Sequence, residues 1–213
     1  QLLAHSLAEA RPLGGPKVLV SGSAIGFYGD RGEESLTEAS PRGTGFLADV
    51  CVAWEDATRD AERAGLRVAH ARTGIVLARS DGLLARLLPL FRVGLGGRIG
   101  SGRQFMSWIS ITDEVAALAW MIDNDVAGPV NLVAPGAVTN SEFGRTLGKV
   151  LRRPVLLPIP PLGPTLLYGR RLVRELMLAS TLVLPGVLDD NGFQFTHPSL
   201  NEALVETIRG SAV

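Results

Sequence analysis

Hydrophobic and polar positions along the chain follow two different periods, which predicts strands separated by helices. The short apolar run VLV at 18–20 predicts a strand over 17–21. Residues 45–64 instead carry apolar side chains at helical spacing and stop at Gly65, which predicts an amphipathic helix. The same patterns recur downstream and predict strands at 66–71 and 130–134, and helices at 80–91, 112–124, 140–152, 165–180 and from Ser199 onward. The predicted N-caps are Ser80, Thr112, Thr139 and Ser199, the last two with a glutamate three residues later.

This order of elements indicates an α/β protein with a doubly wound parallel sheet, because strands that alternate with helices form βαβ units. After about residue 136 the pattern becomes mostly helical and rich in proline. We therefore expect two units, a sheet domain at 1–135 and a smaller, mostly helical lobe at 136–213. Residues 78–105 are expected to contribute to the substrate side.

Composition excludes several classes of function. Of the 213 residues, 46% are hydrophobic, and 21 basic residues balance 21 acidic ones, so a nucleic-acid partner is not expected. No apolar run reaches the roughly 18 residues of a membrane helix, so no membrane partner is expected either. The single cysteine, Cys51, cannot form an internal disulfide, and the three histidines lack the spacing of zinc ligands. A cytoplasmic location is the resulting expectation.

Two polar clusters follow predicted strands and are candidate ligand contacts. Ser21, Gly22 and Ser23 come directly after VLV, and Arg72-Thr73-Gly74 follows the strand at 66–71. In open α/β sheets, ligands bind beyond the carboxyl ends of the strands. Hydroxyl groups there can donate to a ligand, whereas the alternative is that these residues form ordinary turns.

The glycine-rich loop GLGGRIGSG at 94–102 does not fit a dinucleotide fingerprint. Such a fingerprint follows a strand and begins a helix, so that the phosphate meets the helix N-terminus. Here the loop follows a predicted helix and leads into the extended segment MSWISI. A flexible loop that covers a pocket is the favoured interpretation.

Longer motifs resemble a known family. The segments that carry the resemblance are SGSAIGFYGD, LTEAS, GFLADVCVAWE, ARTGIVL, LLPLFRVGLGGRIGSGRQFMSWISITD, GPVNLVAP, VTNSEF and GFQFTHPSL. With these segments the sequence resembles the NAD-dependent epimerase/dehydratase family of extended short-chain dehydrogenases, and within it the branch of epimerase family proteins resembling nucleoside-diphosphate-sugar epimerases.

The resemblance implies a Rossmann domain that binds NADP or NAD, with a smaller substrate lobe. By the family's order, the chain begins in the helix before the fifth strand, so residues 1–135 would be the distal half of that domain. The glycine fingerprint of the first strand is then missing. We expect the missing N-terminal segment to be a partner of this fold, and a homo-oligomer is one further expectation.

The resemblance also suggests site residues. Ser23, or Ser21 in a shifted register, matches the catalytic serine. With Glu55 as the anchor, Leu47 and Cys51 stand where the family has its tyrosine and lysine.

Other positions are candidate substitutes or ligand contacts. Tyr28 either reaches the pocket as an acid–base group or packs on its loop. Arg72 and Thr73 match positions beside the nicotinamide and the substrate. Arg103 stands three residues before Met106, where the family's diphosphate-binding arginine falls, and Trp108 either lines the substrate lobe or belongs to the core.

Two functions follow as hypotheses. The first is an NAD(P)-dependent oxidoreductase or epimerase-like protein that acts on a small substrate of unknown identity, a nucleotide sugar being one class. The second is a catalytically silent NADP(H)-binding sensor or regulator on the same scaffold, because Leu47 and Cys51 cannot replace a tyrosine and a lysine.

Overall fold

The computed structural model describes residues 2–155, 158–159 and 169–210. Its helices are α1 (Leu2–Ala10), α2 (Phe46–Asp56), α3 (Arg59–Arg63), α4 (Gly82–Arg92), α5 (Ile111–Asp123), α6 (Asn140–Leu151), α7 (Arg170–Val173), α8 (Gly186–Asp190) and α9 (Leu200–Arg209). Its strands are β1 (Val18–Ala24), β2 (Ser35–Leu36), β3 (Arg67–Thr73), β4 (Ile75–Leu77), β5 (Phe105–Met106), β6 (Trp108–Ser110), β7 (Gly128–Leu132), β8 (Val138–Thr139) and β9 (Leu182–Val183).

The central sheet is parallel, as the alternation of strands and helices predicts. Its order is β1-β3-β7. Helix α5 packs against an apolar face of this sheet, which includes Ala69, Ala71, Val130 and Leu132. Helices α2 and α3 cover the opposite face, so the sheet is wound on both sides.

The face toward α2 and α3 changes character along the strands. Leu19 and Val68 make it apolar near its amino end. Two residues further, Ser21 pairs with His70, and then Ser23, Arg72 and Asn131 stand in one row across the three strands. Since strand side chains alternate between faces, these polar groups lie on the α2 side near the carboxyl end of the sheet.

Strand β1 is longer than its predicted range of 17–21. It continues to Ala24, so Ser21 and Ser23 are strand residues rather than parts of a turn. The predicted helix 45–64 is instead two helices, α2 and α3. Between them Thr58 donates its hydroxyl to the carbonyl of Glu55 and contacts His70 Nε2 at 2.9 Å, which favours a break at this point.

Two of the four predicted helix caps are correct. Thr139 and Glu142 form a reciprocal capping box at α6, and Ser199 accepts a bond from the amide of Glu202 at α9. The caps predicted at 80 and 112 are wrong: Asp81 accepts from Gly82 N at α4, and Ser110 accepts from Asp113 N at α5.

A second core joins the carboxyl-terminal part of the chain to α4. Phe91 of α4 packs with Trp108 of β6, Phe143 of α6 and Leu204 of α9. Residues 78–105 thus pack with the elements after 136, while the proposed boundary at 135 stays a prediction. The prediction of a helix at 165–180 falls partly outside the described residues, within which α7 and a π-helical turn at Arg174–Leu178 are present.

Within the described ranges, no helix combines the length and apolar character that crossing a membrane would require.

Candidate functional site

A buried hydrogen-bond network is built on the polar row of the sheet. Glu55 of α2 accepts two bonds from Arg72, at 2.8 Å from Nε and 2.9 Å from Nη2, and a third from Ser23 Oγ at 2.8 Å. Arg72 Nη1 donates to the Tyr28 hydroxyl at 3.0 Å, and that hydroxyl donates to Asn131 Oδ1 at 2.7 Å. The network therefore fixes α2 and the loop after β1 against the sheet.

The charges in this network are matched. Burial alone would raise the pKa of Glu55, but the bonds from Arg72 and Ser23 outweigh it and hold that pKa below its ordinary value. Burial opposes the charge of Arg72, yet Glu55 and Tyr28 raise its pKa. The guanidinium carbon of Arg72 also lies 3.5 Å from the centre of the Phe27 ring.

Arg72 is held inside this network, and its contact with a ligand stays a prediction. Its side chain is 4% exposed, and all three guanidinium nitrogens already have partners in Glu55 and Tyr28. Tyr28 is fully buried, and burial raises the pKa of its phenol. Its hydroxyl lies in the network, and Tyr28 does not line the apolar cavity described next, so an acid–base role for it stays a prediction.

Next to this network an apolar cavity of about 260 Å³ opens at the carboxyl ends of β1 and β3. It is called the apolar cavity from here on. The residues that line it include Ala24, Gly26, Leu47, Val50, Cys51, Trp54, Thr73, Gly74, Leu83, Leu87, Ile99, Met106, Ser107, Asn140, Glu175, Ala179 and Thr181. Parallel strands present their ligand sites at this edge. The cavity is therefore the candidate site.

Two predicted cofactor contacts line this cavity. Thr73 donates its hydroxyl to Glu114 Oε1 at 2.8 Å. At Gly74, a Cβ atom would lie 2.7 Å from Val133 Cγ1 and 2.8 Å from the carbonyl oxygen of Ser107. Close packing thus already requires glycine at 74, so the glycine is not by itself evidence of a ligand.

The serine cluster lies beside the cavity, outside its lining. Ser23 is buried and its hydroxyl is directed to Glu55, while Gly22 is exposed with open space where a Cβ would stand. For Ser21, Gly22 and Ser23, contact with a cofactor stays a prediction, as does catalysis by Ser23.

The two predicted substrate residues are elsewhere. Trp108 is fully buried in the core, and its indole Nε1 donates to the carbonyl of Gly136 at 2.8 Å. Arg103 is exposed and lines neither this cavity nor the larger one described below. Met106 lies on the cavity wall, while substrate contacts of Arg103 and Trp108 stay predictions.

Leu47 and Cys51 stand on the cavity wall, close to the loop after β1. A Cβ at Gly26 would lie 3.4 Å from Leu47 Cβ and 3.6 Å from the Cys51 sulfur. Burial raises the pKa of the Cys51 thiol, which keeps it neutral near pH 7. Neither side chain supplies the proton donor or the cation that a tyrosine–lysine pair would supply.

The glycine-rich loop is closely packed rather than open. It follows α4 and precedes β5, so it lacks the strand-to-helix context of a phosphate cradle. At Gly96 a Cβ would lie 2.3 Å from the Phe91 ring, and at Gly102 one would lie 2.1 Å from Ser141 Oγ. These glycines serve packing, and the loop presents Ile99 to the apolar cavity.

Sequence reasoning missed several residues of this region. Asn131 and Glu55 acquire their roles only through sheet register and helix docking. The three arginines of GRRLVRE (Arg170, Arg171 and Arg174) carry a signal that the sequence does show, because their spacing is helical.

Comparison with known proteins places the chain among epimerase family proteins. It is 44% identical over 205 residues to such a protein of Mycobacterium bovis, covering 96% of this chain and 66% of that one. It is 36% identical to human epimerase family protein SDR39U1 over 98% of this chain and 70% of the human one. The chain thus spans about two thirds of the length of these curated relatives.

Comparison with solved structures also places the chain among epimerase family proteins. The crystal structure of human SDR39U1 (isoform 2) with NADPH superposes with a TM-score of 0.84 at 30% identity, covering 99% of this chain and 72% of the human one. Residues 159–207 match a model described as a domain of unknown function, DUF1731. The chain therefore belongs to the epimerase family that includes SDR39U1, and its fold is the NAD(P)-binding Rossmann fold of that family.

Proposed function

We propose that this chain forms the nicotinamide- and substrate-facing part of an NAD(P)-dependent oxidoreductase or epimerase-like protein acting on a small substrate. The observation that carries the proposal is the apolar cavity at the carboxyl ends of β1 and β3. The human relative with NADPH supports it, since that structure covers nearly the whole of this chain.

The described residues fit one end of the cofactor. Ala24, Thr73 and Gly74 form the strand-end wall, and Leu47 and Cys51 provide apolar surface suited to a flat ring. No strand-to-helix glycine turn for the pyrophosphate occurs in the part of the chain described here. When bound, the nicotinamide would supply hydride transfer; the residues of this chain would exclude water and orient the ring.

A specific observation favours a second candidate, the silent NADP(H)-binding sensor. No tyrosine or lysine lines the apolar cavity within the described residues. The thiol of Cys51, its pKa raised by burial, is a poor acid–base group at neutral pH. Binding without turnover is the outcome that distinguishes the sensor from the enzyme.

The test is a fluorescence titration of the protein, expressed from its whole reading frame, with NADPH and NADH. Leu47→Trp fills the apolar cavity, and we expect it to weaken binding at least about tenfold. Leu95→Trp is the matched control, because Leu95 is exposed and outside the cavity. Circular dichroism confirms that both variants fold.

The outcomes separate the candidates. Nucleotide binding with loss of reduced-nicotinamide absorbance across a substrate panel supports the enzyme. Binding with no such loss supports the sensor. Failure of the wild-type protein to bind either nucleotide would refute both.

A further inference from the structure

A second cavity adjoins the apolar one. It has a volume of about 640 Å³ and is named here the arginine cavity, after Arg170, Arg171 and Arg174 in its wall. The two cavities share Gly26, Leu47, Glu175, Ala179 and Thr181. One ligand can therefore extend from the strand ends into the arginine cavity.

Two of the three arginines are available to a ligand. Arg171 Nε lies 3.3 Å from Glu175 Oε1, and its guanidinium carbon lies 5.1 Å from the centre of the Phe46 ring. Among the described residues, the guanidinium groups of Arg170 and Arg174 form no hydrogen bond or ion pair. Guanidinium groups bind carboxylates and phosphates in two-point contacts.

The acidic residues of the arginine cavity have other partners. Glu175 accepts from the backbone amides of Phe46 and Leu47, at 3.3 and 2.9 Å, and so caps α2, whose N-cap residue makes no side-chain bond. Asp30 accepts from the amide of Ser180 at 3.1 Å. Three arginines against two carboxylates leave the wall with net positive charge.

The apolar cavity, in contrast, offers little to a sugar. Ser107 donates its hydroxyl to the carbonyl of Thr181 at 2.8 Å, and Thr73 donates to Glu114. Asn140 Oδ1 accepts from the amide of Ile99 at 2.7 Å. Because these polar groups are already bonded within the protein, the hydroxyls of a buried sugar would lose their bonds to water without replacement.

We propose that the substrate is an apolar molecule with one anionic head group, a carboxylate or a phosphate monoester. Its body lies in the apolar cavity beside the nicotinamide, and its head group binds Arg170 and Arg174. This inference rests on the proposed function for the redox site. It assigns a substrate class different from the nucleotide sugars.

The experiment measures quenching of tryptophan fluorescence, for which Trp54 on the apolar wall is the local reporter. Decanoate and decyl phosphate carry the two head groups on one alkyl chain, and decanol carries no charge. UDP-glucose represents the nucleotide sugars. We expect at least one of the anions to bind about tenfold or more tighter than decanol, and UDP-glucose to leave the fluorescence unchanged.

The variants identify the head-group site. The double substitution Arg170→Gln, Arg174→Gln should weaken binding of the anion about tenfold and leave decanol binding unchanged. Arg79→Gln is the matched control, since Arg79 is exposed and outside both cavities. Equal affinity for decanol and the anions, or binding of UDP-glucose alone, would overturn the inference.

An NADPH titration of the same proteins tests the NAD(P)-dependent function separately from the head-group site. The double variant should bind NADPH as the wild type does. Anion binding that depends on the two arginines, in a protein that binds no NADPH, would support the head-group site and refute the redox function.

Discussion

At the scale of single residues, Glu55 is the centre of the network. It neutralises Arg72, whose side chain is 4% exposed, and it receives the Ser23 hydroxyl. Breaking a buried ion pair by removing one partner is costly because the other charge stays buried. The stability of the network therefore depends on Glu55, which the sequence analysis used only as an alignment anchor.

Glu55→Gln is expected to lower the free energy of unfolding by about 3 kcal/mol, because it leaves Arg72 charged and without a carboxylate. Urea denaturation measures the change. Asp49→Asn is the surface control. Asp49 pairs with Arg42, their side chains being 66% and 46% exposed, and its loss should cost at most about 1 kcal/mol. Equal effects of the two substitutions would contradict a buried pair.

The same variant has a predicted pH dependence. The pKa of Glu55 is lowered by folding, so its stabilising effect is complete above the unfolded value of about 4.3 and is lost as the pH falls through the lower folded pKa. The stability gap between wild type and Glu55→Gln should thus be largest near neutral pH and narrow in acid. A gap that stays constant down to pH 3 would show that charge is not its cause.

At the scale of elements, local signals decide which features the sequence reveals. The capping box at Thr139 and the N-cap bond of Ser199 each join residues three positions apart, so they can be predicted without a structure. The row of Ser23, Arg72 and Asn131 depends on strand register across residues far apart in the sequence. Periodicity predicts the strands but not which residues stand opposite one another.

The glycine-rich loop at 94–102 is a second feature that local sequence patterns do not predict correctly. Its glycines suggest mobility in the sequence, whereas the structure shows that contact with Phe91 requires Gly96. Gly96→Ala should lower the free energy of unfolding by about 1–3 kcal/mol, since the added methyl group displaces the ring. Gly22→Ala, where a Cβ meets nothing within 4 Å, should change it by less than about 0.5 kcal/mol. Thermal denaturation of both variants makes the comparison, and an unaffected Gly96 variant would mean that the loop is loose.

At the scale of the whole molecule, Ser107 is one of the residues that hold the segment after the π-helical turn to the rest of the fold, together with Asn131 and the pairing of β9 with β2. Ser107 donates to the carbonyl of Thr181 and accepts from the amide of Val183, both at 2.8 Å. Thr181 lines both cavities. The shape of the candidate site is therefore linked to a contact between segments more than seventy residues apart.

Ser107→Ala should lower the free energy of unfolding by about 1–3 kcal/mol, because the Val183 amide and the Thr181 carbonyl lose a buried partner. Hydrogen exchange should show faster exchange at Val183 and unchanged exchange in β3. Uniform acceleration over both would indicate a global loss of stability rather than a local release. Ser141→Ala serves as the control, since Ser141 is only half-buried and no bond of its hydroxyl holds this segment.

The row of Ser23, Arg72 and Asn131 across the sheet also favours one register of β3 against β1. Sliding β3 by one residue against β1 would turn Arg72 to the α5 side, where Ala71 and Val130 now pack among hydrocarbon. A guanidinium there would have neither Glu55 nor water. The ion pair thus penalises this one-residue misalignment of β3, because Arg72 would then be separated from Glu55.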